Sequence, residues 1–343
     1  MRVLLTGAAG FIGSRVWARL TAAGHDVVAV DAMLPAAHGA QADVPGGVLR
    51  VDVRDGGAVA DVLAGVDVVC HQAAVVGAGV DAADAPAYAG HNDFGTAVLL
   101  AQMFAVGCRR LVLASSMVVY GQGRFVCAEH GEVDPLPRRR EDLDAGVFDH
   151  RCPVGGEPVD WALVGEDAAL RPRSLYAASK VAQEHYALAW SEAGAGVVTA
   201  LRYHNVYGPG MPRDTPYSGV AAIFRSALEK GAAPKVFEDG RQMRDFVHVD
   251  DVAAANVAAV ESVSTGFDAF NVCSGRPVSI LDVADVLCRA HGGVRPEIVG
   301  GHRDGDVRHI VADPRKAKDK LGFHAAVDPV DGLAEFASAP LRG

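Results

Sequence analysis

The stretch MRVLLTGAAGFIG, residues 1–13, joins an apolar run to three glycines at the spacing G-x-x-G-x-x-G. Apolar side chains recur at helical spacing from Gly13 to Ala23, so the glycines lie at a turn between a strand and a helix. Glycines let the backbone approach a ligand closely, and the N–H groups and dipole of a helix N-terminus attract an anion. Gly7, Gly10 and Gly13 therefore predict a strand–turn–helix unit that binds a pyrophosphate.

Short apolar runs and helical stretches alternate up to about residue 115. The runs indicate buried strands at Val3–Leu5, Val27–Val30, Leu49–Val51, Val66–Cys70 and Leu111–Ala114. Between them, helical spacing occupies Gly13–Ala23, Gly57–Ala64 and Asn92–Val106. This alternation predicts an α/β fold with a doubly wound parallel sheet, the Rossmann fold, covered by helices on both faces.

The same pattern predicts how the chain is divided. Between about residues 122 and 171, Pro, Gly, Arg and Asp are frequent and periodicity is weak, which predicts an insertion or lid. Residues 1–202, with a return at about 245–272, are predicted to form the dinucleotide-binding domain. Residues 203–244 and 273–343 are predicted to form a smaller C-terminal α/β domain that binds the substrate at the carboxyl ends of the strands.

Composition excludes several classes of protein. Half of the 343 residues are apolar and 22% are charged, so the chain can bury a large core and is not disordered. The formal charge is −10, and the basic run Arg138–Arg140 is followed by Glu141 and Asp142, which argues against a nucleic-acid partner. The six cysteines have no repeating spacing, which predicts reduced thiols rather than a disulfide framework.

The N-terminal strand predicts the compartment. Because this strand starts with the first residues, no room is left for a signal peptide, and no apolar run reaches the roughly 18 residues that a membrane span needs. We expect a cytoplasmic protein without a membrane partner.

Asp31 indicates which dinucleotide binds. It ends the second predicted strand, 24 residues after Gly7, where an acid can accept hydrogen bonds from the adenosine ribose hydroxyls. A carboxylate at this place repels a 2′-phosphate. NAD is therefore predicted as the cofactor in preference to NADP.

Three further side chains indicate proton chemistry beside that site. Tyr176 and Lys180 are four residues apart, on one face of a helix predicted over Ser174–Ala193. A nearby ammonium stabilises a phenolate, so Lys180 is predicted to lower the pKa of Tyr176 and to make it a general base. Tyr and Lys often occur at this spacing by chance, but Ser116 ends an apolar strand at the edge of the sheet where active sites lie.

Together these pieces resemble the extended short-chain dehydrogenase/reductases of the NAD-dependent epimerase/dehydratase family, which act on nucleotide sugars. The resemblance covers nearly the whole chain. Besides Asp31, Val51–Val53 and Asn92, it is carried by TGAAGFIG (6–13), HQAA (71–74), SSMVVYG (115–121), YAASK (176–180), LRYHNVYGPG (201–210), RDFVHVDD (244–251) and GHRDGDVRH (301–309).

The resemblance implies a role for each matching position. The catalytic set it implies is Ser116, Tyr176 and Lys180. The cofactor site it implies comprises Gly7, Gly10, Phe11, Ile12, Gly13, Asp31, Asp52, Val53, Ala73, Ala74, Asn92, Ser115, Tyr176 and Lys180. The residues it implies for the nucleotide diphosphate and sugar of the substrate are Ser116, Tyr176, Asn205, Val236, Arg244, Arg303 and Asp306. The arginines suit this role because a planar guanidinium matches phosphate oxygens.

Two residues limit the types of reaction that the site could perform. Dehydratases of the family resemble one another in carrying an Asp-Glu pair after the catalytic hydroxyl, whereas this chain carries Met117 and Val118. Without an acid and a base at these positions, elimination of water is disfavoured, and the reaction that remains is oxidation and re-reduction at one carbon. This predicts 4-epimerisation of a dTDP- or UDP-linked sugar, with NAD retained by the enzyme. The alternatives left open are a UDP-glucose/UDP-galactose 4-epimerase, an NAD(P)H-dependent 4-ketosugar reductase, and a non-catalytic nucleotide sensor.

The insertion resembles that of the family's dTDP-L-rhamnose subgroup, which favours this sugar. In that subgroup the insertion tends to contain Cys-Pro-x-Cys-Gly, but here Gly155 replaces the second cysteine. Cys127, His130, His150 and Cys152 are the types of ligand that zinc prefers, yet their irregular spacing favours a solvated loop without metal. The resemblance also implies a homodimer, formed through Asn92–Val106 and Ser174–Ala193.

Overall fold

The computed structural model describes residues 1–39, 42–77, 81–213, 219–302 and 306–342. Its strands, in chain order from β1 to β15, are Arg2–Thr6, Asp26–Asp31, Val48–Arg50, Val68–His71, Arg110–Ser116, Arg124–Cys127, Gly131–Val133, Asp160–Ala162, Val197–Tyr203, Asn205–Tyr207, Lys235–Val236, Met243–His248, Phe267–Val272, Pro277–Ser279 and Glu297–Ile298.

Helices connect most of these strands. From α1 to α12 they are Phe11–Ala22, Pro35–His38, Gly56–Val62, Ala85–Tyr88, Gly95–Val106, Arg140–Asp144, Leu175–Glu192, Val220–Glu229, Val249–Glu261, Ile280–Ala290, Arg315–Leu321 and Pro329–Phe336. Short 3-10 turns occupy Ala82–Asp84 and Met117–Tyr120, and a π-helical turn occupies Ala89–Phe94. None of the helices described here is both long enough and apolar enough to cross a bilayer.

Seven parallel strands form the central sheet in the order β3-β2-β1-β4-β5-β9-β13. Side chains of β1 alternate between its faces, so that Val3 and Leu5 pack in the core beside α1 and α9, while Leu4 packs in the core beside α5 and α7. A strand that is buried on both faces needs an apolar residue at every position, which explains the unbroken apolar run of β1. The predicted doubly wound α/β fold is confirmed.

Smaller sheets lie beside the carboxyl ends of these strands. β10 pairs with β12 in parallel, β12 pairs with β14 in antiparallel, and β11 pairs with β15. Helices α8, α10 and α12 share a core with them, to which Phe224, Leu287 and Phe336 contribute. These elements stand across a cleft from β5 and α7.

The insertion is more regular than its sequence indicates. Weak periodicity over 122–171 predicts a loop, but β6 pairs with β7 and β8 in an antiparallel three-stranded sheet. Its strands are only three or four residues long, and Arg124 pairs with Ala162 across a long loop. Strands this short carry almost no alternation, and pairing between distant segments leaves no local signal.

Three buried histidines make the fold sensitive to acid. His71 lies between the hydroxyls of Thr6 and Thr96, and burial lowers its pKa to about 3. Burial also lowers the pKa of His150 and of His204 to about 4 each. Between these values and about 6.5, the unfolded chain binds protons that the folded chain does not, so the free energy of unfolding falls as the pH falls.

We therefore expect urea unfolding to show a stable protein above about pH 6.5 and a loss of up to about 1.4 kcal/mol per pH unit for each of these histidines below it. The variant His71→Asn should show a shallower pH dependence. His185→Gln, which changes an exposed histidine on α7, is the control and should keep the original slope. An unchanged slope in His71→Asn would contradict the assignment.

Candidate active site

The turn after β1 has the shape that a pyrophosphate requires. Gly7 has φ +70°, and a Cβ added at Gly13 would lie 1.9 Å from the Gly7 carbonyl oxygen. Helix α1 starts after Gly10 without a hydrogen bond from a capping side chain, so its first N–H groups face outward from the end of the helix. The turn therefore fits the diphosphate of a dinucleotide, with the helix N-terminus as the anion site.

We expect Gly13→Ala to weaken NAD binding. The added methyl group must push the turn away from the Gly7 carbonyl, and overpacking of this kind costs about 1–3 kcal/mol, or roughly 5- to 150-fold in affinity. Titration calorimetry with NAD measures the change. Gly46→Ala, in a loop where an added Cβ meets nothing within 4 Å, is the matched control. Equal affinities for the two variants would exclude the turn as the pyrophosphate site.

Asp31 faces this turn from the end of β2. Its carboxylate accepts hydrogen bonds from the backbone N–H of Ala9 at 3.0 Å and of Met33 at 2.8 Å. His38 Nε2 lies 3.2 Å away, and Arg342 in turn donates to the Ala9 carbonyl at 2.7 Å. A carboxylate offers about four acceptor positions, so Asp31 retains capacity for ribose hydroxyls. His38 and Arg342 carry no motif, and sequence reasoning missed them.

Two more segments at the same edge of the sheet contain predicted cofactor residues. Asp52 and Val53 follow β3, where the Asp52 carboxylate binds Arg54 at 2.6 Å and the Val53 side chain is buried. Ala73 and Ala74 follow β4, and the Ala73 N–H donates to the hydroxyl of a threonine in β1.

Asn92 supports the segment after β4. Its Oδ1 accepts the Val75 N–H at 2.8 Å, and its Nδ2 donates to the Val75 carbonyl and to the Ser179 hydroxyl, both at 2.9 Å. The side chain is fully buried on the π-helical turn. Asn92 therefore ties this segment to α7, the helix that carries Tyr176.

The predicted catalytic residues meet where β5 ends beside α7. Ser174 caps this helix by accepting the Ala177 N–H at 3.1 Å, which sets the orientation of its first turn. Ser116 lies near enough to the Tyr176 phenol to lower its pKa. Lys180 Nζ lies 5.9 Å from the centre of the Tyr176 ring. A serine hydroxyl, a phenol and an ammonium thus share one site, as predicted from the sequence.

The electrostatics of this group differ from the sequence prediction. Burial raises the pKa of Tyr176, and the hydrogen bond from Ser116 opposes this only in part. Burial also lowers the pKa of Lys180 to about 8, against the opposing charge of Glu184. The prediction that Lys180 lowers the pKa of Tyr176 is wrong, because burial is the largest influence and raises it. Lys180 instead donates to the Ala114 carbonyl at 2.9 Å.

A buried ion pair between Glu184 and Arg202 lies next to Ser115. Ser115 donates to Glu184 at 2.5 Å, and Glu184 accepts two hydrogen bonds from Arg202, at 2.8 and 3.0 Å. Arg202 also donates to the Tyr120 hydroxyl. The resemblance assigned Ser115 to the cofactor site. In the structure its hydroxyl instead donates to Glu184, a contact that fixes the end of the strand beside Ser116.

A cleft of about 350 Å³ opens beside the catalytic group. Met117, Val118 and Ala177 line it on the side of Ser116 and Tyr176, and Asn205 and Arg244 line it on the other side. A larger groove of about 570 Å³ elsewhere contains none of the predicted site residues.

Arg244 is one of the charged groups that line this cleft. Its guanidinium donates to the backbone carbonyls of Met243, Arg308 and Val307. Among the described residues, the carboxylate within 4.0 Å is that of Asp306, at 3.9 Å. Burial lowers the pKa of Arg244. Neutral carbonyls hold the guanidinium in place, and the Asp306 carboxylate, at 3.9 Å, balances its charge only weakly. Such a fixed cation suits a phosphate.

Other predicted substrate residues are placed differently. Val236 is fully buried in the core, whereas its neighbours Lys235 and Phe237 line the cleft. Arg303 lies outside the described residues. Gln242 also lines the cleft and has a buried Oε1 without a partner in the described chain, as has the Oδ1 of Asn205.

Sequence reasoning missed Lys235, Phe237, Gln242 and Arg173 on the cleft. Lys235 and Phe237 could have been found because they flank Val236, and Gln242 because it lies two residues before Arg244.

Comparison with known proteins agrees with this geometry. The model of the NAD-dependent epimerase/dehydratase family matches residues 3–142 and 156–273. The chain is 35% identical to a dTDP-L-rhamnose 4-epimerase of Burkholderia thailandensis, over 98% of this chain and 93% of that protein. It is 30% identical to a UDP-glucose 4-epimerase of Mycolicibacterium smegmatis, over 98% and 97%.

The solved structures include a UDP-glucose 4-epimerase of Thermus thermophilus in complex with NAD. It is similar to this chain with a TM-score of 0.75 and 30% identity, over 98% of both chains. The sheet order, the glycine-rich turn and the grouping of Ser116, Tyr176 and Lys180 all match what the sequence resemblance implied. The chain therefore belongs to the NAD-dependent epimerase/dehydratase family and has NAD as its cofactor.

Proposed function

We propose that this protein inverts the configuration at C4 of a nucleotide-diphosphate sugar, with dTDP-L-rhamnose as its substrate. The observation that carries the proposal is a cleft lined both by the sequence neighbours of Ser116 and Tyr176, which are Met117 and Ala177, and by the guanidinium of Arg244. This arrangement offers a proton acceptor for a sugar hydroxyl and a cation for a diphosphate within one cavity.

Each residue has a defined task in this reaction. Tyr176 takes the proton from the C4 hydroxyl and returns it later, and Ser116 hydrogen-bonds the same oxygen. Lys180, one helical turn from Tyr176, would hold the nicotinamide ribose. Arg244 and Asn205 hold the diphosphate while the 4-keto sugar turns to present its other face. NAD, held by the Gly7–Gly13 turn and Asp31, supplies the oxidation and the reduction at C4 when it is bound.

The cleft favours epimerisation over elimination of water. Met117 and Val118 follow Ser116 and form part of the wall. Neither side chain can exchange a proton, so this part of the wall supplies no acid or base for expelling a hydroxyl from the sugar.

The choice of sugar rests on a different observation. The relative with 35% identity is named a dTDP-L-rhamnose 4-epimerase, and its similarity extends over the insertion as well as the sheet. UDP-glucose 4-epimerases at 30% identity support UDP-glucose or UDP-galactose as the second candidate.

Proton NMR of the sugar tests the proposal. Purified protein is incubated separately with dTDP-L-rhamnose, UDP-glucose and UDP-galactose, without added cofactor. We expect inversion at C4 of dTDP-L-rhamnose. Inversion of a UDP-sugar alone would keep the reaction and overturn the choice of substrate. No inversion, combined with reduction of a 4-keto sugar when NADH or NADPH is added, would replace the epimerase by a one-way reductase.

We also propose that the protein is a homodimer formed through α5 and α7. On these adjacent helices the apolar side chains of Phe104 and Tyr186 are 59% and 50% exposed. We expect light scattering to give the mass of two chains, and Phe104→Asp to give the mass of one because it places a charge in the interface. Val263→Asp, which changes a fully exposed residue elsewhere, should remain dimeric. A monomeric wild-type protein would overturn this proposal.

A further inference from the structure

Two tight turns of the insertion face one another and bring together four side chains that bind metals. Cys127 and His130 belong to the turn between β6 and β7. Cys152 and Glu157 belong to a second turn, which is closed by a hydrogen bond from the Cys152 N–H to the Glu157 carbonyl at 2.8 Å. One ligand atom from each of the four residues lies within 4.8 Å of the other three.

The separations match a tetrahedral ion. Zn–S and Zn–N bonds of normal length, at tetrahedral angles, place sulfur and nitrogen about 3.5 Å apart. His130 Nδ1 lies 3.3 Å from Cys127 Sγ and 3.5 Å from Cys152 Sγ. Glu157 Oε1 completes the group, at 3.0 Å from His130 Nδ1. Glu157 Oε1 also lies 2.7 Å from Cys127 Sγ, where zinc-bound sulfur and oxygen are about 3.5 Å apart, so the carboxylate moves by just under about 1 Å when the ion binds.

Two backbone donors of the turn face the sulfur of Cys127. Its sulfur accepts the backbone N–H groups of Glu129 and His130, both at 3.4 Å, and such donors stabilise a negative sulfur. Both thiols are buried in a small core with Phe125, whereas His130 and Glu157 are partly exposed. The group is thus anchored on its inner side and accessible to an ion from solvent.

We propose that Cys127, His130, Cys152 and Glu157 form a structural zinc site that joins the two turns of the insertion. Two thiolates, an imidazole and a carboxylate suit Zn²⁺, and four protein ligands leave no open position, so the ion has no part in the reaction at Tyr176. The sequence favoured a loop without metal and named His150, not Glu157, among the possible ligands. In the structure His150 packs edge-on against Phe125, with its Nδ1 3.3 Å from the Leu136 carbonyl oxygen.

Gly155 explains how Glu157 reaches the site. A Cβ added at Gly155 would lie 2.1 Å from Glu157 Oε2, so the absence of a side chain at 155 leaves room for the carboxylate. The same geometry means that a side chain placed at 155 would point toward the ligand group. A cysteine at this position can therefore replace the carboxylate.

The insertion reaches the substrate cleft through charged contacts. Arg138 binds Glu238 at 2.7 Å and donates to the Asp306 carbonyl, while Asp149 accepts from Arg308 at 2.7 Å. Asp306 lines the cleft beside Arg244. Loss of zinc should therefore loosen the cleft wall and raise KM for the nucleotide sugar more than it lowers kcat.

Zinc content and cobalt spectra test the site in the full-length protein. We expect one zinc per chain by elemental analysis after purification without chelators, and visible absorption typical of tetrahedral cobalt with sulfur ligands after exchange with Co²⁺. His130→Ala changes an exposed side chain that the fold does not need, and it should lower zinc affinity about a hundredfold. Cys127→Ser should do the same. Cys108→Ala, at a buried thiol far from the insertion in sequence, is the control and should retain its zinc.

A second pair of variants tests the carboxylate. Glu157→Ala should weaken zinc binding, and the double variant Glu157→Ala/Gly155→Cys should restore it with a stronger sulfur-to-cobalt band. Wild-type protein that stays free of metal when Zn²⁺ is added would overturn the proposal. So would full zinc content in both His130→Ala and Cys127→Ser, or a disulfide between Cys127 and Cys152 detected by mass spectrometry.

Discussion

Tyr176→Phe is expected to lower turnover about 10²- to 10⁴-fold, the usual contribution of a positioned general base. The variant loses only the phenolic oxygen, which is the atom that would take the proton of the sugar hydroxyl. The ring, its contact with Tyr88 and the helix remain. NAD content and KM for the sugar should therefore change little while kcat collapses.

The measurement is steady-state epimerisation, together with the NAD content of each purified protein. Tyr186→Phe removes a hydroxyl from an exposed tyrosine of the same helix and should behave as wild type. Turnover that is unchanged in Tyr176→Phe would remove Tyr176 from the mechanism and with it the proposed reaction.

The second large effect concerns stability. Glu184→Ala should lower the free energy of unfolding by about 3–5 kcal/mol, because it leaves the buried guanidinium of Arg202 without its partner. The side chains of this pair are 2% and 4% exposed, and Ser115 also depends on Glu184 for its hydrogen bond. Since the charge of Glu184 raises the pKa of Lys180, the variant should also deprotonate Lys180 at a lower pH.

Urea unfolding at pH 7 measures the change, with Glu192→Ala, an exposed acid at the end of the same helix, as the control. The double variant Glu184→Leu/Arg202→Met replaces both charges by apolar groups and should recover much of the loss. A Glu184→Ala protein within 1 kcal/mol of wild type, by the usual size of a surface change, would show that the pair does not hold this edge of the sheet.

The glycine-rich turn and the catalytic helix were predictable because each of their signals is local. Gly7 and Gly13 meet within one turn of chain, and Tyr176 and Lys180 meet within one turn of helix. The strands of the central sheet were predictable for a related reason, since burial on both faces requires an unbroken apolar run. The predicted bounds of the five early strands differ from those observed by only one or two residues.

Residues without a local pattern were missed. Val236 and Lys235 are neighbours in a two-residue strand, and only the pairing of β11 with β15 decides which of them enters the cleft. The direction of the Tyr176 pKa also escaped prediction, because spacing shows which charge is near but not how much water is excluded.

The sequence by itself therefore determined the doubly wound sheet, the glycine-rich turn and the proximity of Tyr176 and Lys180, because short-range periodicity and spacing encode all three. Only the tertiary structure decided that Arg244 lines one cleft with Ala177 of α7, that Glu184 and Arg202 form a buried pair beside Ser115, and that Glu157 rather than His150 lies beside Cys127. These contacts join segments far apart in the chain. The free energy that selects them comes from burial and pairing across the whole fold, which no short stretch of sequence contains.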